Sequence, residues 1–248
     1  MTLSTWFVIG VLALLSGMTT LIGVTLAIYS TRSPKTIAFG IGFSTGIMLL
    51  VSCFELIPAA IQTSNTSEAL ISLGAGVLFL GLLHWLIPHT HLFKEKGKLN
   101  LSLLRSAYLV AFGLILHDIP EGFAMANSFL TSPSLGMFVA ISIALHNIPE
   151  EYVIAIPAVT LRNKGFLYKM AFISGMAEPA GALLGLYAAY LSTELVPYFL
   201  SFTAGAMIYI SLHELMPLAK RYGYLPIFAL GFTASVLVHT LLSICLPE

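Results

Sequence analysis

Two short strings carry the densest chemistry in this sequence: His117-Asp118-Ile119-Pro120-Glu121 and His146-Asn147-Ile148-Pro149-Glu150. On a helix, residues at i and i+4 lie one above the other, so each string presents an imidazole and a carboxylate on one face. The residue at i+1, Asp118 or Asn147, stands three positions before the same glutamate and adds an oxygen beside them. Two imidazoles with several carboxylates suit first-row divalent metals, zinc, iron and manganese among them, better than calcium or magnesium. A copper(I) path calls for more sulfur than one nearby cysteine and scattered methionines supply. Glu178, followed by Pro179, is a candidate third contributor. Pro120 and Pro149 lack an N–H and leave the carbonyls of Leu116 and Leu145 without their helix bonds. In lipid such a defect persists only where protein, water or an ion satisfies the oxygen. For a single histidine the plainer reading is a neutral hydrogen-bonded core or a proton relay without metal. The doubling of the string favours metal.

The elements that hold these residues must sit in lipid. Of 248 residues, 58% are hydrophobic and only 9% charged, and the mean hydropathy is +0.94. A soluble domain carries about 25% charged residues to solvate its surface, so a soluble enzyme, a nucleic-acid binder and a disordered chain are excluded. A span needs roughly 20 apolar residues. Eight segments qualify, at about Leu3 to Ser30, Ile37 to Ile61, Ala69 to Pro88, Ser106 to Leu130, Leu135 to Leu161, Gly165 to Leu191, Leu195 to Leu218 and Tyr224 to Leu246. Between them stand turn residues: Ser33-Pro34, Asn65 to Ser67, Ser132-Pro133, Asn163 to Gly165 and Tyr222-Gly223. The first segment reads as a span and not a signal peptide, because no Lys or Arg precedes it and Arg32 and Lys35 follow it. The expected fold is an all-α integral membrane protein of eight transmembrane helices, a single domain over residues 1–248.

Charge placement orients the chain. All 11 Lys and Arg residues fall in or at alternate loops, from Arg32 and Lys35 through Lys94 to Arg105 and Arg162 to Lys169, then Lys220 and Arg221. Cytoplasmic loops retain basic residues, so both termini are expected outside the cytoplasm. Of the 11 acidic residues, seven lie within spans: Glu55, Asp118, Glu121, Glu150, Glu151, Glu178 and Glu214. No Lys or Arg lies deep in a span to neutralise them, so the compensating charge must be protons or a bound cation. Cys53 and Cys245 both fall within spans, which argues against a disulfide framework.

The spans contain an internal repeat. Phe43 to Ala60 (FSTGIMLLVSCFELIPAA) and Phe202 to Ala219 (FTAGAMIYISLHELMPLA) agree at an offset of 159. Ser16-Gly17-Met18, Gly23 and Tyr29 match Ser174-Gly175-Met176, Gly181 and Tyr187 at 158. The second and seventh spans run in opposite senses, so spans 1–3 and 6–8 form an inverted repeat around spans 4–5, the signature of secondary transporters. It places Glu55 near the outer mouth and His213 with Glu214 near the inner one, as relay ligands, with interfacial exposure the rival reading. His84, His89 and His91, where span three meets the basic loop, could hand off or sense metal but read first as solvated loop histidines, and His239 reads as a hydrogen-bonded packing residue. The small-residue face Gly42 to Gly46 can pack helices within one chain or between two copies, so a homodimer is one expected assembly.

At HDIPEG (His117 to Gly122), HNIPEE (His146 to Glu151), MAEPAG (Met176 to Gly181) and HELMP (His213 to Pro217), the sequence resembles the ZRT/IRT-like (ZIP) family of divalent metal transporters. The resemblance implies a binuclear site. One metal would be held by His117, Glu121, His146 and Glu150, the second by Asp118, Asn147 and Glu178, with Glu121 and Glu150 bridging. It further implies transport of Zn2+ or a related ion (Fe2+, Mn2+, Co2+, Cd2+) into the cytoplasm, one bundle sliding against the other in a cell membrane, plasma or inner. No cofactor beyond the transported metal and no enzymatic activity are expected. Asp118 stands where the family usually has Asn, adding a hard anionic ligand, and Glu151 where Gly is common. An intramembrane metal-dependent hydrolase is the rival from another class, since the same ligands could activate water. There is no HExxH motif to support it.

Overall fold

A computed structural model of the chain describes residues 3–30, 33–86, 117–159 and 163–246. Among these residues the protein is all helix and turn, without strands. The helices are α1 (Leu3–Tyr29), α2 (Pro34–Thr63), α3 (Thr66–Leu86), α4 (residues 117–131), α5 (Pro133–Val159), α6 (Lys164–Gly175), α7 (Ala177–Leu191), α8 (Thr193–Tyr222) and α9 (Leu225–Cys245). The expected turn residues end them for identifiable reasons. Ser33 caps α2 by accepting from the Lys35 N–H at 3.3 Å, with Pro34 in the first turn where its missing N–H costs nothing. Asn163 accepts from the Phe166 N–H at 3.0 Å to start α6, and Gly223, at φ 73°, takes the left-handed conformation that closes α8.

Six of these helices, α1, α2, α3, α5, α8 and α9, are long and apolar enough to cross a membrane, which makes this an all-α membrane protein. The polarity is that of a protein in lipid: Leu78, Trp85, Leu237 and Ile244 are exposed, while Asp118, Glu121, Glu150, Glu151 and Glu178 are each 5% exposed or less. The first half of the expected fourth span lies outside the described residues.

The sixth expected span, Gly165 to Leu191, is not one continuous helix. It breaks at Met176, between α6 and α7. Pro179 has no N–H for the Gly175 carbonyl four residues earlier, so the ladder opens there. The break places Glu178 in the first turn of α7, where the positive end of the helix dipole stabilises a carboxylate.

Two other helices widen without breaking. Val51–Leu56 in α2 and Ser211–Leu215 in α8 are π-helical. The Ile57 N–H donates to the Ser52 carbonyl, and the Met216 N–H to the Ser211 carbonyl, each reaching back five residues. Pro58 and Pro217 follow immediately, each unable to donate to the carbonyl four residues before it, which accounts for both wide turns. Glu55 and Glu214 lie inside them.

Packing follows the small residues. α1 lies against α5, α2 against α9 and α3 against α8. Gly17 of α1 and Gly175 of α6 meet so closely that a methyl group on either would fall on the other's carbonyl oxygen. In the same way Gly23 admits the Ile148 carbonyl of α5, and Gly181 the Ile119 carbonyl of α4. These approaches set the depth at which the two motif helices sit.

Candidate metal centre

The paired motifs lie on α4 and α5, joined by a turn at Ser132. Their convergence is the centre of the molecule. Glu121, His146 and Glu150 each offer one ligand atom, and the three atoms lie within 4.8 Å of one another, all on buried residues. His146 Nε2 is 3.1 Å from Glu121 Oε1 and 4.0 Å from Glu150 Oε2. Its other nitrogen, Nδ1, lies 3.0 Å from the Ser142 carbonyl oxygen. That contact makes Nδ1 the protonated nitrogen and leaves Nε2 with a lone pair for a cation, the outer-shell arrangement usual for a metal-binding histidine. The His146 carbonyl also accepts from the Ser44 hydroxyl of α2 at 3.0 Å, fixing the helix that carries the ring.

His117, expected as the fourth ligand, is turned partly away. Its Nδ1 is 3.8 Å from Glu150 Oε1, while its Nε2 is 3.0 Å from Glu214 Oε1. The structure therefore connects the central cluster directly to Glu214, the carboxylate expected near the inner mouth. Glu214 in turn lies 3.0 Å from His84 Nδ1. The placement of His84 as a solvated loop histidine is thus corrected: it belongs to α3 and faces the interior, because α3 packs along α8. Its ring meets those of Tyr209 and His213 edge-on at 5.8 and 5.1 Å. His213 itself is exposed and stacks on Tyr209 at 4.9 Å. His89 and His91 lie outside the described residues.

The remaining expected ligands are held by protein donors. Asn147 Nδ2 donates to Glu178 Oε1, and the Ser174 hydroxyl donates to Asp118 Oδ2 at 2.6 Å. Glu121 Oε2, Glu150 Oε2 and Glu178 Oε2 are buried without a hydrogen-bond partner. Buried oxygens without donors cost about 1–3 kcal/mol each, more when charged, so the centre has free acceptor capacity for a cation. Glu151 is buried too, its Cβ packed where Gly23 of α1 leaves room. Burying five ionised carboxylates at about 2.5–3.5 kcal/mol apiece would consume the typical net stability of about 5–15 kcal/mol. Among the described residues, the nitrogen ligands found beside them are the imidazoles of His117 and His146, with no Lys or Arg.

Glu55, in the wide turn of α2, has a histidine partner of its own: His239 Nε2 of α9 is 3.1 Å from Glu55 Oε1. Reading the residues in order did not reveal His84, His239, Ser44 or Ser174 as neighbours of these carboxylates. The one available signal was the helical spacing of small residues along α3 and α9, which marks the faces those helices turn inward.

Comparison with known proteins places these features in a family. The ZIP zinc transporter family model matches residues 88–244. The chain is 38% identical over 225 residues to the zinc transporter ZupT of Escherichia fergusonii, covering 85% of this chain and 86% of that protein. It is 35% identical over 237 residues to ZupT of Stenotrophomonas maltophilia, covering 88% and 87%, and 38% identical over 244 residues to ZupT of Chlorobium limicola, covering 89% and 91%. With the twinned motifs at one depth, the helix broken before Glu178 and similarity over most of its length, this chain belongs to the ZIP zinc transporter family.

Proposed function

We propose that the protein carries a divalent transition-metal ion, zinc foremost, across the cell membrane into the cytoplasm. The observation that carries this reading is the buried convergence of Glu121, His146 and Glu150 within 4.8 Å, in a membrane interior without Lys or Arg to neutralise it. Its relatives bear the name of zinc transporters, and family membership sets aside the hydrolase reading. The ion is the substrate, not a resident cofactor. Glu121, His146, Glu150 and His117 form its first position. Asp118, Asn147 and Glu178, bridged by Glu121 and Glu150, form a second. The unpartnered Glu121 and Glu178 oxygens support this binuclear arrangement. The contacts from His117 to Glu214 and from Glu214 to His84 support release toward the inner mouth.

The architecture we infer has eight spans, an inverted repeat of spans 1–3 and 6–8, and both termini outside. Support for the repeat comes from contacts that recur at the repeat offset. Ser52 and Ser211 donate to Met48 and Met207 at 2.7 and 2.8 Å, and the two π turns, each with its glutamate, correspond. Gly17 and Gly175, equivalent positions, touch each other, as residues beside a pseudo-two-fold axis do. Alternating access then follows from α1 and α4 to α7 moving, elevator-like, against α2, α3, α8 and α9, with the His117–Glu214 contact crossing the boundary. The Gly42 to Gly46 face is taken up within the chain, where α9 brings Phe228 and Ser235 against it, so a homodimer would form through another surface. Zinc uptake into proteoliposomes tests the reading: Glu121→Ala is expected to lower flux by at least roughly 100-fold, as loss of a charge-bearing ligand should, and full flux in that variant would count decisively against it.

A further inference from the structure

The carboxylate at the other mouth has surroundings that the central cluster does not explain. Glu55 lines a cleft of about 240 Å3 where α2, α5 and α9 meet, with Phe138, Gln62 and Ser243 also on its wall. The cleft opens at the Thr63 end of α2, opposite the Pro34 end beside Arg32 and Lys35. Glu55 and His239 come from different helices, and their side chains are 13% and 12% exposed. The 3.1 Å between His239 Nε2 and Glu55 Oε1 is a hydrogen-bond distance, yet no hydrogen bond is aligned on Nε2. Two ligands sharing one cation have this relation: each aims at the ion and not at the other. With Zn–N and Zn–O bonds of about 2.0–2.2 Å, neighbouring atoms of a tetrahedral shell stand roughly 3.3 Å apart. The His239 ring is held edge-on by Phe54 and Phe138, at centroid distances of 6.1 and 5.1 Å, so its nitrogen stays aimed beside Glu55. Gln62, seven residues after Glu55, shares that face of α2 and offers an amide oxygen to water in the cleft.

We propose that Glu55 and His239 form a separate outer binding site for the divalent transition-metal ion, with water completing the shell, filled from the cleft before the ion reaches the centre. This rests on the transport reading above. Phe138 lies eight residues before His146 on α5, about 12 Å by helix rise. The outer site is therefore close enough to hand over an ion and too far to share its ligands with the centre.

The test uses the full chain in proteoliposomes and purified in detergent. In zinc uptake, Glu55→Gln and His239→Ala each raise the apparent KM by at least roughly ten-fold, since losing even an outer-shell partner of a metal ligand costs about 10–100-fold. The limiting rate changes by less than about two-fold, because capture is a binding step. His239→Cys, which retains a metal ligand, keeps the KM near that of the parent protein. In a Glu121→Ala, His146→Ala background, Co2+ still binds with visible ligand-field absorption, and adding His239→Ala removes the signal. An unchanged KM in Glu55→Gln and His239→Ala, a fall in limiting rate at constant KM, or no Co2+ binding in the central-site variant overturns the proposal. Were the transport reading itself wrong, no variant would move zinc while the Co2+ signal would still report the site, so the two failures are distinguishable.

Discussion

Asp118 illustrates how one oxygen can set a preference. Its family counterpart is usually a neutral Asn, and here the carboxylate is buried, steadied at Oδ2 by the Ser174 hydroxyl at 2.6 Å. A further anionic oxygen beside the glutamates makes the site harder, which favours Mn2+ and Fe2+ relative to Zn2+. Asp118→Asn keeps the hydrogen-bonding outline and removes the charge. In competition flux assays it is expected to keep zinc transport while manganese competes roughly ten-fold less well, equivalent to about 1.4 kcal/mol of differential binding. Equal competition in both proteins would show that this oxygen takes no part in selection.

At the scale of elements, close helix contacts and proline-widened turns divide the work. Glycines at crossings let backbones approach, and the prolines of α2, α7 and α8 disturb the ladder where carboxylates are needed. The two effects separate by mutation. At Gly175 a methyl would fall on the Gly17 carbonyl and within 2.7 Å of Thr20 Oγ1, and neither helix can yield cheaply. Gly175→Ala is expected to cost about 1–3 kcal/mol and to lower the Tm in detergent by several degrees. Gly74 has nothing within 4 Å of where its Cβ would lie, so Gly74→Ala should raise the Tm slightly through helix propensity, worth up to about 1 kcal/mol. The opposite signs make thermal unfolding of the pair informative, and a matching response would show that the crossing is not tight.

For the whole molecule, the distribution of charge predicts an orientation in the membrane. Lys and Arg gather in alternate connections, while the short turn at Ser64 and Asn65 between α2 and α3 has none. In a Cys53→Ser, Cys245→Ser background, Ser64→Cys is expected to react with a membrane-impermeant maleimide applied outside intact cells. Gly165→Cys, beside Arg162 and Lys164, should react only after permeabilisation. The reverse pattern would invert the assigned direction of transport, since outer and inner mouths would exchange.

Much of this protein is legible along the chain. Apolar runs, turn residues and the repeated His-x-x-Pro-Glu spacing are local properties: helix geometry alone brings i and i+4 together, and a proline or capping side chain ends a helix wherever it folds. Those rules located the apolar runs that become six helices long enough to cross a membrane, several of their capping residues, and the two motif faces on α4 and α5. They did not reach the break at Met176, where Pro179 disrupts a run that reads as continuously apolar. Nor could they show which helices lie side by side. The His117–Glu214 contact joins residues 97 positions apart, and His84 and His239 acquired carboxylate partners only because α3 packs on α8 and α9 on α2. The sequence by itself determined a membrane-embedded helical protein with twinned metal-binding motifs, since membrane burial and helical periodicity depend on neighbours a few residues away. Only the tertiary structure decided that Glu121, His146 and Glu150 converge, that His117 turns to Glu214, and that His239 of α9 meets Glu55 of α2 at 3.1 Å. Those pairings depend on how closely small residues let separate helices approach, a property of two surfaces at once.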